Sequence, residues 1–247
     1  MRIPLFHGLL RRLTGRGVEQ ANLAEWEAKH RKTIAGDLEK IWHLLPEDLI
    51  FVDVGANIGL FSEALLQRRP GAKGYLFEPV QEMRARCAKR FVGDERVTLE
   101  PFALAHEKGT ATIYKARYNP GGNSLVHELM YDTRDVSEVI EEPDHVEEEI
   151  RLEVFDDYAS ANGIEFVHFI KTDTEGFDYR VLQGMLGFLE RCDPKPVILA
   201  ELMSESYHPF WNDQMAVLEK IYAMGYGEVD LSNMDKVQDV LFVPNGR

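Results

Sequence analysis

Five acidic side chains stand where short apolar runs end, and those are the places where a carboxylate can reach a ligand. Asp53 lies within Val52-Asp53-Val54 and is followed by Gly55, Ala56, Asn57, Ile58 and Gly59, so an apolar run passes through an acid into a turn of small residues. Glycine lets a backbone approach a ligand closely. Glu78 closes the run 74–77 and precedes Pro79, which delays the next helix until the chain has turned. A carboxylate there can accept two hydrogen bonds from a ribose diol. Asp173 and Glu175 follow the run 166–170, and Glu201 follows 197–200. In an open parallel sheet such strand ends share one rim, where an acid can orient a hydroxyl and take its proton. Glu175 equally suits a cap on the helix that follows it.

The turn restricts the ligand. A dinucleotide fingerprint needs G-x-G-x-x-G, whereas the three glycine positions hold Gly55, Asn57 and Leu60. Nicotinamide and flavin chemistry is thereby demoted, and no G-K-[ST] follows to make a Walker loop. The turn has no basic residue, which fits an adenosyl ligand without phosphates. S-adenosylmethionine meets that description, since its sulfonium and amino group suit Asp53 and an acidic cleft. Asp53 also suits a cap for the helix after the turn. Other candidate bases are His127 and His145, both in a long insertion, and His208 in SESYHPFW, each of which also reads as an ordinary surface histidine. His168, inside an apolar run, reads as structural. The rim acids Asp173, Glu175 and Glu201 also admit a divalent cation such as Mg2+, although no spacing compels one. Tyr118, Tyr207, Phe210 and Trp211 suit either a sugar face or core packing.

The chain that must position these groups has 247 residues, 45% of them hydrophobic, and a formal charge of −14. One large domain fits that length, and the negative field disfavours nucleic acid as a partner. Cys87 and Cys192 have no CxxC or Cys/His spacing, so neither structural zinc nor a disulfide scaffold is expected, and a cytoplasmic location fits best. No apolar run is long enough to span a bilayer. His7, Arg11 and Arg12 interrupt the segment 1–17, which does not read as an export signal. Ile3, Phe6, Leu9, Leu10 and Leu13 share a helical face there, so weak membrane-surface contact competes with packing on the domain, which is favoured because two turns bury little area.

Residues 1–46 form an N-terminal helical extension, with a helix over 21–45 marked by Trp26, Ile34, Leu38, Ile41 and Leu45. Residues 47–247 form the main domain. Strands are expected at 50–54, 74–77, 97–99, 166–170 and 197–200, and helices at 60–67, 80–91, 179–189 and 215–224, an alternation that produces a parallel sheet. Residues 226–231 and 237–243 read as a closing antiparallel hairpin. The segment 109–157 breaks the alternation and is expected on the substrate side. Residues 135–157 carry eleven carboxylates against Arg151 alone, read as a solvated face.

FVDVGANIGLFS, FEP, LEPFALAHEKGTATIY and FIKTDTEGFDYRVLQG, in this order over residues 51–186, resemble the FkbM-type methyltransferases, a branch of the class I S-adenosylmethionine-dependent enzymes. The resemblance implies an α/β Rossmann-like fold, a seven-stranded, mostly parallel sheet with a C-terminal antiparallel hairpin. It also implies methyl transfer to a hydroxyl of a sugar, oligosaccharide or glycosylated metabolite. Carried over by position, Asp53, Gly55, Asn57 and Gly59 surround the methionine moiety, Glu78 with Pro79 the ribose, and Phe102 with Ala103 the adenine. Asp173 lies beside the methyl, and Asn123, Ser124 and Leu125 match a turn over the cofactor. Thr172 or Thr174 stands where the family usually has an apolar residue. Asp173, Glu175, His145, Glu201 and His208 are the candidate catalytic residues. The alternatives are a macrolide or other natural-product acceptor, and a noncatalytic adenosyl-binding protein.

Overall fold

The computed structural model describes residues 20–116, 122–131, 145–231, 234 and 236–246. In chain order the elements are α1 (Gln20–Ile41), β1 (Ile50–Val54), α2 (Leu60–Arg68), β2 (Lys73–Phe77), α3 (Gln81–Arg90), β3 (Val97–Glu100), β4 (Ala103–Ala105) and β5 (Gly109–Ala116). They continue with β6 (His145–Val154), α4 (Phe155–Ala161), β7 (Phe169–Thr172), α5 (Asp178–Gln183), α6 (Leu186–Arg191), β8 (Val197–Met203), α7 (Trp211–Ala223) and β9 (Val237–Phe242).

Strands β7 and β8 are buried along their whole length, as strands covered on both faces must be. The main sheet runs β3-β2-β1-β7-β8-β9, parallel except for β9. Its order reverses between β1 and β7, which opens a crevice at their carboxyl ends. Side chains alternate across each strand. Val52, Val54, Ile170, Ala200 and Leu202 therefore share one core with Phe155, Val181, Phe188 and Leu218 from the helices on that face. Phe51, Phe169 and Leu199 face the other way, against Leu38 and Ile41 of α1 and Leu65 and Leu66 of α2. The same alternation puts Asp53 beside Lys171 on this second face, since the two residues are in register.

The sheet differs from expectation at one edge, where there are six strands among the described residues instead of seven. Tyr226 makes a single bridge to Pro244, flanked by bonds from Gly227 N–H to Val243 O (3.2 Å) and from Asn245 N–H to Gly225 O (2.8 Å), and the ladder goes no further. The helix expected over 179–189 is two helices, since the Asp156 carboxylate accepts the N–H groups of Gly187 (3.0 Å) and Phe188 (2.5 Å) and starts α6 anew. The insertion contains regular structure that the pattern did not show: its β5 and β6 pair antiparallel and join β4, which precedes it, in a second sheet. Within it Glu148 accepts from Lys115 (2.8 Å) and from the N–H of Gln81 (3.2 Å), so at least one acid of the charged run is bound in place.

Helix α1 ends at Ile41 and passes into a short 3-10 turn, Trp42–Leu44. It is fastened to the domain. Arg90 of α3 bonds Glu27 (3.1 Å), Glu63 (3.0 Å) and the carbonyl of Ile58 (2.8 Å), and Trp26 packs with Ile58, Leu60, Val80 and Met83. No helix among the described residues is long and apolar enough to cross a membrane. The amphipathic face expected over 1–17 lies outside the described residues. Cys87 and Cys192 are free and buried.

Gly59, expected around the methionine moiety, has a packing role. It precedes α2 at φ +83°, and a Cβ there would lie 2.6 Å from Phe91 Cε2 and 2.9 Å from Cys87 Sγ. Gly59→Ala combines left-handed strain with overpacking and should cost about 2–4 kcal/mol in urea unfolding. An unchanged midpoint would show that the α2–α3 contact gives way freely.

Candidate functional site

The site is assembled around one close approach. Gly55 has φ +76°, and a Cβ there would lie 2.1 Å from the carbonyl oxygen of Asp173, so the turn after β1 touches the loop after β7 only because residue 55 is glycine. The N–H groups of Gly55 and Ala56 both donate to Phe77 O (3.0 and 3.1 Å), and Asp173 N–H donates to Val54 O (3.1 Å). Three strand tips are thus locked together.

Glu78 completes that lock. Its Oε2 accepts the N–H of Asn57 and its Oε1 the N–H of Val80, both at 2.8 Å. Each oxygen keeps a second lone pair, so the carboxylate can still receive a vicinal diol. Burial pushes its pKa up to about 7, against the two N–H donors that favour the charge. Asp53 is fully buried and accepts the Ser62 hydroxyl (2.5 Å); it does not cap α2, whose start carries no side-chain cap.

A lysine missed in the sequence organises the acids. Lys171 Nζ lies 3.1 Å from Asp173 Oδ2 and 3.5 Å from Asp53 Oδ1, and 5.4 Å from the centre of the Phe61 ring. Burial opposes its charge, but Asp173 and Asp53 outweigh that and hold the ammonium above the usual lysine range. A lysine inside the apolar strand FIKT was the available signal.

Strand β7 stops at Thr172, so Asp173 and Glu175 meet through the loop and not along a strand; Glu175 takes φ +52°. Glu201 lies within β8, which runs on to Met203, three residues past the expected end. One carboxylate oxygen from each of Asp173, Glu175 and Glu201 falls within 4.8 Å of the others. Burial, then Glu175 and Asp173, raise the Glu201 carboxyl well above the usual range. Burial and Asp173 push Asp178 up to about 6 and Asp239 to about 7. Asp239, a lone acid in the apolar strand VQDVLF, pairs in register with Glu201 and was not foreseen.

A cleft runs beside these groups. Gly55, Asn57, Glu78, Pro79, Ala103, Asp173 and Glu175 line it, with Phe77 and Leu104 as apolar walls. Asn123 and Leu125 also line it, while Ser124 between them donates to Glu175 O (2.6 Å) and accepts the N–H of Val126 (3.0 Å). The expected turn is therefore at the cleft, with Ser124 as its tether. Phe102 is not at the cleft: it packs in the core against Phe77, 5.6 Å between ring centres.

Two of the candidate histidines, His208 and His145, stand in structural surroundings. His208 accepts the N–H of Phe210 at Nδ1 (2.9 Å) and donates from Nε2 to Gly176 O (3.0 Å), so both nitrogens are occupied and it acts as a clamp on the acidic loop. His145 sits on β6 between Tyr114 and His127 and does not line the cleft. His168 accepts the N–H of Ile50 (2.9 Å), the structural role read for it. His30 of α1, which the sequence did not single out, donates from Nδ1 to Trp26 O (2.7 Å), stacks on the Trp26 ring and feels the charge of Asp173; burial lowers its pKa.

A mostly parallel sheet with this reversal, a glycine turn at its first tip and an acid at its second is a Rossmann-like arrangement, and the family match makes it that of a class I methyltransferase. The family described as Methyltransferase FkbM domain matches residues 53–226, and the chain belongs to that family. The match extends past the stretch that carried the resemblance. The 2-O-methyltransferase NoeI of Sinorhizobium fredii (strain NBRC 101917 / NGR234) is 26% identical over 141 residues, 56% of this chain and 57% of that protein. The AMB antimetabolite synthetase AmbE of Pseudomonas aeruginosa (strain PAO1) is 32% identical over 106 residues, 41% of this chain and 5% of that protein. The matched stretches thus span less than two thirds of either relative. Among solved structures, magnesium protoporphyrin IX methyltransferase from Synechocystis PCC 6803, with bound S-adenosylmethionine, aligns with a TM-score of 0.46 at 11% identity, covering 95% of this chain and 88% of that one.

Because Glu78 is harder to ionise folded than unfolded, its folded pKa is raised from 4.5 to about 7. Its contribution is fully present below pH 4.5 and is lost as pH rises through about 7. The wild-type unfolding free energy should fall over that window by about 3 kcal/mol more than that of Glu78→Gln. Parallel slopes in urea titrations at pH 5 and pH 7.5 would contradict the shift.

Proposed function

We propose that this chain is an S-adenosylmethionine-dependent O-methyltransferase acting on a hydroxyl of a sugar, oligosaccharide or glycosylated metabolite. The observation that carries it is the coincidence of the family match with a cleft whose glycine turn and buried Glu78 stand where an adenosyl ligand needs them. Oxygen as the acceptor atom is supported by the related 2-O-methyltransferase. The saccharide class rests on the family resemblance. When bound, S-adenosylmethionine supplies an electrophilic methyl group on a sulfonium.

The residues fit that ligand. Gly55 lines the cleft without a side chain, Glu78 has lone pairs free for a ribose diol, and Ala103 and Leu104 offer an apolar wall to a base. Asp53 and the neighbouring acids favour a cation over a phosphate. Asp173, half-buried at the cleft and oriented by Lys171, is the carboxylate that meets the acceptor hydroxyl and takes its proton as oxygen bonds to carbon. Holding acceptor and methyl in line supplies much of the acceleration. We assign the insertion 109–157 to the acceptor side, because Ile113, Asn123 and Leu125 border the cleft. We place the reaction in the cytoplasm, where two free, buried cysteines are at home.

Purified protein incubated with methyl-labelled cofactor and a panel of unmethylated and partly methylated saccharides should label a hydroxyl. Cofactor binding with no labelled acceptor in any class would support a noncatalytic binder instead. Glu78→Ala should weaken cofactor binding by about 1–3 kcal/mol in calorimetry, and unchanged affinity would remove the ribose assignment. Asp173→Asn should lower turnover by roughly 100-fold or more while changing cofactor affinity little. Equal losses in both would make Asp173 a cofactor ligand.

A further inference from the structure

We propose that Asp173, Glu175 and Glu201 form a binding site for one divalent, oxygen-seeking cation, Mg2+, Mn2+ or Ca2+. Their nearest carboxylate oxygens all lie within 4.8 Å of one another. Around an ion with oxygens at about 2.4 Å, adjacent ligands are about 3.4 Å apart and opposite ones about 4.8 Å, so the three oxygens fit one coordination sphere with little movement. A donor set made only of carboxylate oxygens selects hard cations over zinc or copper.

Among the described residues the carboxylate of Glu201 has no counter-charge. Glu175 and Glu201 are each only 3% exposed, and like charges this close are not both kept ionised in a protein interior without a cation. Lys171 is already committed, 3.1 Å from Asp173 and 3.5 Å from Asp53. Among the described residues no basic side chain forms an ion pair with Glu201. Its Oε2 is buried and has no hydrogen-bond partner, although β8 is held rigidly between β7 and β9. A buried carboxylate oxygen left unmatched in a fixed strand, and grouped with two further acids, is what a ligand-holding atom looks like before its ligand arrives.

The loop carrying Asp173 and Glu175 is also shaped in advance. Ser124 bonds Glu175 O (2.6 Å), His208 bonds Gly176 O (3.0 Å), and Thr174 N–H donates to Asp178 Oδ2 (3.2 Å). None of these bonds uses a carboxylate oxygen of the proposed triad. Asp173 and Glu175 border the cleft, so the remaining coordination positions face it. On the function proposed above, they would receive water or paired hydroxyl oxygens of the acceptor.

The test needs neither cofactor nor acceptor, so failure of the methyltransferase reading leaves it intact. Chelator-treated, dialysed full-length protein is titrated with Mn2+ in 150 mM salt and followed by electron paramagnetic resonance and calorimetry. One Mn2+ should bind per chain, be displaced by Mg2+ or Ca2+, and raise the thermal midpoint. Glu201→Gln keeps the shape and removes one charge; it should weaken Mn2+ by at least about tenfold and abolish the thermal shift. Glu107→Gln, an exposed acid elsewhere, should change neither. No binding by the wild type up to millimolar Mn2+ overturns the proposal whatever the variants do. Equal affinity in Glu201→Gln, or equal weakening in Glu107→Gln, overturns it too, because the ion is then elsewhere or held by net charge alone.

Discussion

The ammonium of Lys171 is the interaction on which the acidic side of this fold depends. It projects from β7 on the face covered by α1 and α2, within reach of Asp53 and Asp173 and over the Phe61 ring of α2. Asp53 is fully buried, and a buried carboxylate deprived of its counter-charge typically costs about 3–5 kcal/mol. A single charge therefore makes it possible for β1 to carry a buried acid and for β7 to hand on directly to another. The orientation of Asp173, and with it the acid loop, follows from that pairing.

Around this pair the ligand groups do structural work as well. Glu78 ties the tip of β2 to the turn after β1 and to the start of α3, so the carboxylate that can receive a diol is also the bolt between three elements. Ser124 joins the insertion to the loop after β7, and His208 joins that loop to the segment before α7. Few side chains at the cleft are free to move independently, which favours a site formed before its ligands bind.

Much of the scaffold was legible because apolar runs and glycine turns are local signals. Residues 50–54 are β1, and the acids Asp53, Glu78, Asp173 and Glu201 were found by their position at or near strand ends. The second sheet was hidden because β6 reads HVEEEIRLEV, whose outward acids resemble a solvated run; only pairing across to β5 shows that Lys115 answers Glu148. Phe102 and Gly59 were assigned to the ligand by their place in a motif, yet which way a side chain faces depends on packing that no spacing records. Lys171 and Asp239 went unnoticed because each looks like an isolated exception in an apolar strand, and register alone brings them to the acid group.

Helix α1 and strand β9 both lie outside residues 53–226. A fragment excised at those limits would lose the strand that covers β8 and the helix that covers Leu65, Leu66 and Phe169. It would present a long apolar sheet edge to any neighbouring copy, which invites association strand against strand. The part matched by the family is therefore smaller than the packed core, and the flanking pieces belong to the folding unit.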